Sequence, residues 1–83
     1  MSESLLARAT AVTEAIVAAG EPVGPRALAR ATGIDRSAVG RILRQLAELG
    51  ILTAENGSYS PGARLFKIGR VLSALDTLPA AAN

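Results

Sequence analysis

Arg26, Arg30, Arg36, Arg41 and Arg44 lie in one stretch of the chain whose only acidic residue is Asp35. Each guanidinium is a permanently charged, planar fork of N–H donors, and that fork fits both phosphate oxygens and the acceptor edge of guanine. A cluster of this kind is the electrostatic footprint of a nucleic-acid reader. The same arginines could also form a solvated helix face, or bind an acidic protein partner. The overall charge does not separate these readings, because 9 Lys and Arg against 7 Asp and Glu give only +2 over 83 residues.

Other chemistries have little to work with. The chain contains neither Cys nor His, which removes disulfides, the usual zinc sites, thiol nucleophiles and imidazole acid–base catalysis. Asp35, Glu48 and Glu55 are spread over a cap, a helix face and a hairpin, with no metal-ligating or catalytic partner. The expectation is a protein that is not an enzyme and carries no metal or cofactor.

Positioning the arginines requires a scaffold, and composition limits its kind. The chain is 49% hydrophobic but only 2% aromatic, so one small domain with a core of Leu, Ile, Val and Ala is expected. The acidic start Met1-Ser2-Glu3-Ser4, and the interruption of the following apolar residues by Arg8, Thr10, Thr13 and Glu14, argue against a signal peptide. No apolar run approaches a membrane span. The expected location is the cytoplasm, with nucleoid association when bound to DNA.

A first helix is predicted from Leu5 to Ala19, capped by Ser4 and stopped by Gly20, with Leu5, Ala9, Val12 and Ile16 as one buried stripe. Glu21-Pro22-Val23 reads as a short extended link. Gly24-Pro25 then opens a brief second helix ending at Gly33, with Leu28 and Ala29 on its apolar side. Asp35 is a good N-cap for a third helix from Arg36 to Leu49, which Gly50 ends so that Ile51 folds back onto Leu46. Its buried stripe is expected to be Val39, Ile42, Leu43, Leu46 and Leu49, leaving Arg36, Ser37, Gly40, Arg41, Arg44, Gln45 and Glu48 outside.

Two short strands follow, Ile51 to Ala54 and Ser58 to Ser60, joined through Asn56-Gly57, and Pro61-Gly62 stops the second. A last helix runs from Ala63 to Leu78, and residues 79–83 form a frayed tail. The order is mainly α with a small β-hairpin wing: a winged helix-turn-helix with a three-helix core and an added C-terminal helix. Residues 1–78 would form the domain.

On this scaffold the third helix is the one that enters the major groove. Arg36, Arg41 and Arg44 are its principal candidates for DNA contact, with Ser37 and Gln45 as further contacts to phosphate or base. Gly40 has no side chain to read with; it either lets DNA approach closely or is simply tolerated. Arg26 and Arg30, on the helix that crosses the backbone, would touch phosphates or remain solvated. Thr53, Asn56, Gly57 and Ser58 of the wing could reach a phosphate or the minor groove, with Glu55 opposing it, whereas Tyr59 is expected in the core. The last helix carries Leu65, Ile68, Leu72 and Leu75, with Phe66, Val71 and Leu78 also apolar, which exceeds what one face needs. Half of this surface is expected to pack on the first helix and the rest to form a dimer seam. A dimer would bind a palindromic operator.

The pattern resembles the N-terminal domain of the IclR family of bacterial regulators over roughly residues 5–73. Leu28-Ala29, Gly33-Ile34, Arg41-Ile42-Leu43, Leu46 and Leu49-Gly50-Ile51-Leu52 carry the likeness, together with the spaced Tyr59, Gly62, Leu65, Ile68 and Gly69. Pro61, Ala38 and Gly40 depart from the family's usual Leu, Thr and polar residue, which bears on base preference rather than fold. The resemblance implies transcription regulation by double-stranded DNA binding, and makes residues 63–78 a linker helix that helps a homodimer form. It also implies an effector-binding domain, for which this chain has no room. The abrupt Ala-Ala-Ala-Asn end is expected to be a cut after the linker helix rather than the end of a stand-alone domain.

Overall fold

The computed structural model describes residues 4–76. Helix α1 spans Leu5–Ala19, where the Ser4 hydroxyl accepts a hydrogen bond from the Ala7 N–H at 3.0 Å and Gly20 ends the helix at φ 70°. Helix α2 spans Pro25–Thr32, with proline at the first turn and Gly33 at φ 74° donating its N–H to the Ala29 carbonyl at 2.9 Å. Helix α3 spans Arg36–Glu48, capped by the Asp35 carboxylate, which accepts from the Ala38 N–H at 3.1 Å. Helices α2 and α3 with the turn between them form the helix-turn-helix.

The chain leaves α3 through Gly50 at φ 78°, and the Ile51 N–H returns to the Leu46 carbonyl at 3.0 Å. That return is the expected fold-back, and it uses the Ile51 amide. Strand β1 therefore begins one residue later than predicted, as Leu52–Glu55. Strand β2 is Ser58–Pro61 and pairs antiparallel with β1, from Glu55 opposite Ser58 to Leu52 opposite Pro61. Pro61 thus ends the strand instead of stopping short of it, a place where proline is tolerated. Asn56 at φ 52° and Gly57 at φ 79° form the two-residue turn, whose positive φ angles match the twist of a hairpin. The link before α2 is tied to this hairpin: the Val23 N–H donates to the Tyr59 carbonyl at 2.9 Å, and the Tyr59 N–H donates back at 2.8 Å.

The core consists of Val12 and Ile16 of α1, Leu28 of α2, Ile34 of the turn, Val39, Ile42, Leu43 and Leu46 of α3, and Leu52 of β1. Tyr59 packs against it half-buried, as expected. Burial of each large side chain contributes about 1.5–3 kcal/mol. Two positions assigned to buried stripes lie outside it. Leu5 is 63% exposed and Leu49 is 52% exposed, because both sit at helix ends where they line an open hollow between α1 and α3.

Helix α4 spans Ala63–Asp76; positions 77 and 78 of the predicted helix, and the tail 79–83, lie outside the described residues. The expectation that half of its apolar surface packs on α1 is corrected. Its principal packing is against β1, and none of residues 63–75 is fully buried. Hydrogen bonds at its start account for this direction. The Gly62 N–H donates to the Ile51 carbonyl at 2.8 Å, the Arg64 N–H to Gly50 at 3.1 Å, and Arg64 Nη1 to the Leu49 carbonyl at 3.0 Å. The start of α4 is thereby bound to the end of α3. Among the described residues, no helix is long and apolar enough to cross a membrane.

Gly62 makes this contact possible. A Cβ there would lie 2.5 Å from the Gly50 carbonyl oxygen and 3.0 Å from the Leu52 carbonyl carbon, whereas one on Gly69 would meet nothing within 4 Å. Gly62→Ala should therefore cost about 1–3 kcal/mol by overpacking. Gly69→Ala should be neutral or stabilising by up to about 1 kcal/mol, since alanine favours a helix. Chemical denaturation followed by circular dichroism checks both, and equal effects would contradict the close approach at Gly62.

Candidate nucleic-acid interface

The phase of α3 decides which of its side chains face outward. An α-helix turns about 100° per residue, so the buried set Val39, Ile42, Leu43 and Leu46 occupies one side of the cylinder. Arg36, Ser37, Arg41, Arg44 and Gln45 are all exposed on the remainder, and Gly40 is half-buried among them. Arg41 and Gln45 are one turn apart, as are Gly40 and Arg44.

Two shallow hollows flank this face. The first is lined by Pro25, Asp35, Arg36, Ser37, Gly40 and Arg44, so the start of α2 stands beside the first turns of α3. A Cβ on Gly40 would lie 3.8 Å from Arg44 Nη1. The Arg44 guanidinium thus lies over Gly40, at the distance of an ordinary contact with such a Cβ. The second hollow is lined by Leu5, Arg8, Ala38, Arg41, Ile42 and Gln45. It brings α1 to the opposite edge of the same face.

The remaining candidates are distributed less tightly. Arg26 and Arg30 are exposed one turn apart on α2, but neither lines the hollow that Pro25 enters. Ser58 is half-buried where β2 begins, and Thr53, Glu55, Asn56 and Gly57 are exposed on the wing. The wing tip lies against the start of α2, since a Cβ on Gly24 would be 3.7 Å from the Gly57 carbonyl oxygen. On α4, Leu65 is half-buried, while Ile68, Leu72 and Leu75 are 43%, 57% and 56% exposed.

Charge on the α3 face is not neutralised from within. Among the described residues, the guanidinium groups of Arg26, Arg30, Arg36, Arg41 and Arg44 make no hydrogen bond or ion pair, whereas Arg64 spends its own on the Leu49 carbonyl. Asp35 accepts from the α3 backbone, and Glu48 is exposed one turn beyond Arg44. The free donor forks can therefore meet an external anion or the edge of a base.

Arg8 is the residue that the sequence reading did not assign to the site. The available signal was its spacing: three residues after Leu5 and four before the fully buried Val12, it lies on the margin of the core stripe and reaches towards the neighbouring helix.

Comparison with known proteins agrees with this fold. Residues 5–55 match the family model described as the IclR helix-turn-helix domain. A crystal structure of an IclR family transcriptional regulator from Brucella abortus superposes with a TM-score of 0.79 at 23% identity, covering 95% of this chain and 32% of that one. An IclR homologue from Microbacterium sp. strain HM58-2 gives a TM-score of 0.75 at 24% identity, covering 86% of this chain and 30% of that one. The chain therefore spans less than a third of the length of either protein. No curated protein matches it in sequence.

Proposed function

Because this chain belongs to the IclR helix-turn-helix family, we propose that it binds double-stranded DNA sequence-specifically as the DNA-binding domain of a transcription regulator, with α3 in the major groove. The observation that carries this reading is the outer face of α3, where Arg36, Arg41 and Arg44 are exposed and free of internal partners while the opposite side is fixed in the core. In a helix-turn-helix the second helix reads base edges and the first crosses the backbone. On that geometry Arg41 and Arg44 are base readers. Arg36, Ser37 and Gln45 supply contacts to phosphate or base, and Gly40 leaves room for close approach. Arg26 and Arg30 lie towards the phosphates, and Ser58 is the wing's candidate contact. The activity is one of binding, carried out in the cytoplasm and on the nucleoid.

The proposal extends to a homodimer on a palindromic operator. Ile68, Leu72 and Leu75 leave α4 with more exposed apolar surface than a small monomer ordinarily keeps, and Leu65 lies at its inner margin. A second copy seated there would relate two α3 helices by two-fold symmetry, and so relate two half-sites. Sedimentation at rising concentration should show self-association that Leu72→Glu abolishes without loss of stability. A strictly monomeric chain unaffected by Leu72→Glu would contradict the seam.

DNA binding is tested with Arg36→Ala, Arg41→Ala and Arg44→Ala on a duplex selected from a random pool and on random duplex, at several salt concentrations. Each variant should keep its stability within about 0.5 kcal/mol, as surface changes do. A guanine-reading arginine should cost about 1–3 kcal/mol of affinity and relax preference at one base pair. A phosphate contact should weaken all sequences alike and lower the salt slope by about 0.9. Unchanged binding in all of them, with folding intact, would favour a protein-interaction module whose arginine face meets an acidic partner.

A further inference from the structure

We infer that Arg8 of α1 is a phosphate-binding residue, gripping the DNA strand that borders the major groove on the side of α3 opposite α2. The inference rests on the reading of α3 as the DNA-facing helix. Arg8 is half-buried, with its side chain lining the hollow formed by Leu5, Ala38, Arg41, Ile42 and Gln45. Its aliphatic stem can lie along this partly apolar wall while the guanidinium stays at the rim.

The charged groups of this hollow are Arg8 and Arg41, and both are cations. Among the described residues neither has a hydrogen-bonding or ionic partner. Two like charges lining one hollow repel, and an anion at the rim beside Arg8 relieves that repulsion while Arg41 points on towards the groove. Glu14, the acid on α1, is more than a turn further along the helix. No carboxylate lines the hollow to serve as that anion.

Position identifies the anion as a backbone phosphate. The margin of α3 that faces α1 carries Ala38 and Ile42, which have no side-chain donors, Gln45, which has a neutral one, and Arg41, which is turned towards the outer face. The other margin has the start of α2 and Arg36 beside it. A major groove about 12 Å wide is bordered by a phosphate strand on each side. Arg8 is the charged donor that a neighbouring element brings to this margin, and without it Arg41 would be the one cation lining the hollow.

The test uses the whole chain with Arg8→Ala, Arg8→Gln and Arg8→Lys, measured against the selected duplex and random duplex over a range of salt. Arg8→Ala and Arg8→Gln should weaken both duplexes alike, by roughly tenfold, the size of one charge-assisted hydrogen bond. The salt slope should fall by about 0.9, the value of one phosphate. Base preference and thermal unfolding should match the parent chain, and Arg8→Lys should retain the slope. Arg8→Gln keeps part of the stem, so it separates lost charge from lost packing. Wild-type affinity and slope in Arg8→Gln, alongside weakened Arg41→Ala, would overturn the role of Arg8 and leave DNA reading by α3 standing. Loss of preference at a single base pair would overturn the phosphate assignment. If neither Arg8→Gln nor any α3 variant changed binding, the DNA reading would fall, and this inference with it.

Discussion

Everything at the interface depends on the rotation of one helix about its own axis. Val39 and Leu43 of α3 are fully buried, and Ile42 and Leu46 nearly so. Rotating α3 by a single residue, about 100°, would expose part of that set and drive a charged or polar side chain into a core that contains no buried polar group. At about 1.5–3 kcal/mol for each large side chain, the cost would exceed what any surface contact returns. The outward direction of Arg36, Arg41 and Arg44 is thus a by-product of burial. Their own interactions do not set it, since none forms a hydrogen bond or ion pair among the described residues.

The ends of α3 complete that constraint. At its start, the Asp35 carboxylate accepts from the Ala38 N–H. At its end, the last-turn carbonyls of Gln45, Leu46 and Ala47 accept from the Leu49, Ile51 and Gly50 N–H groups. The carbonyls just past the helix receive donors from beyond the wing: Leu49 from Arg64 Nη1, Gly50 from the Arg64 N–H, and Ile51 from the Gly62 N–H. The positive charge of Arg64 also suits the negative end of the helix dipole. One short segment therefore closes α3, anchors the hairpin and aims α4. Because this aim follows the α3 terminus, α4 lies on β1 and leaves Ile68, Leu72 and Leu75 exposed.

Much of this was legible in the residues, and the reason is local. Ser4, Asp35, Gly20, Gly33 and Gly50 act within a turn of where they stand, so the boundaries of the first three helices could be read from caps and left-handed stops. Asn56-Gly57 likewise announced the hairpin. What escaped was non-local. Periodicity shows that Leu5 and Leu49 lie on apolar faces but not that the hollow between their ends of α1 and α3 stays open. The Val23–Tyr59 bridge and the Arg64–Leu49 hydrogen bond join residues far apart in sequence, where no spacing marks them. The candidate arginines of α3 could be read because helix phase is periodic, whereas Arg8 joins the site only through tertiary packing.

The central claim is that the outer face of α3 is where DNA sits. Titrating duplex DNA into the isotopically labelled chain, and following each backbone amide by NMR, tests it most directly. The account predicts that the largest shifts fall between Arg36 and Gln45, with smaller ones at Arg8, the start of α2 and the wing tip. Shifts concentrated on α4, or a spectrum that DNA leaves unchanged at low salt, would contradict it.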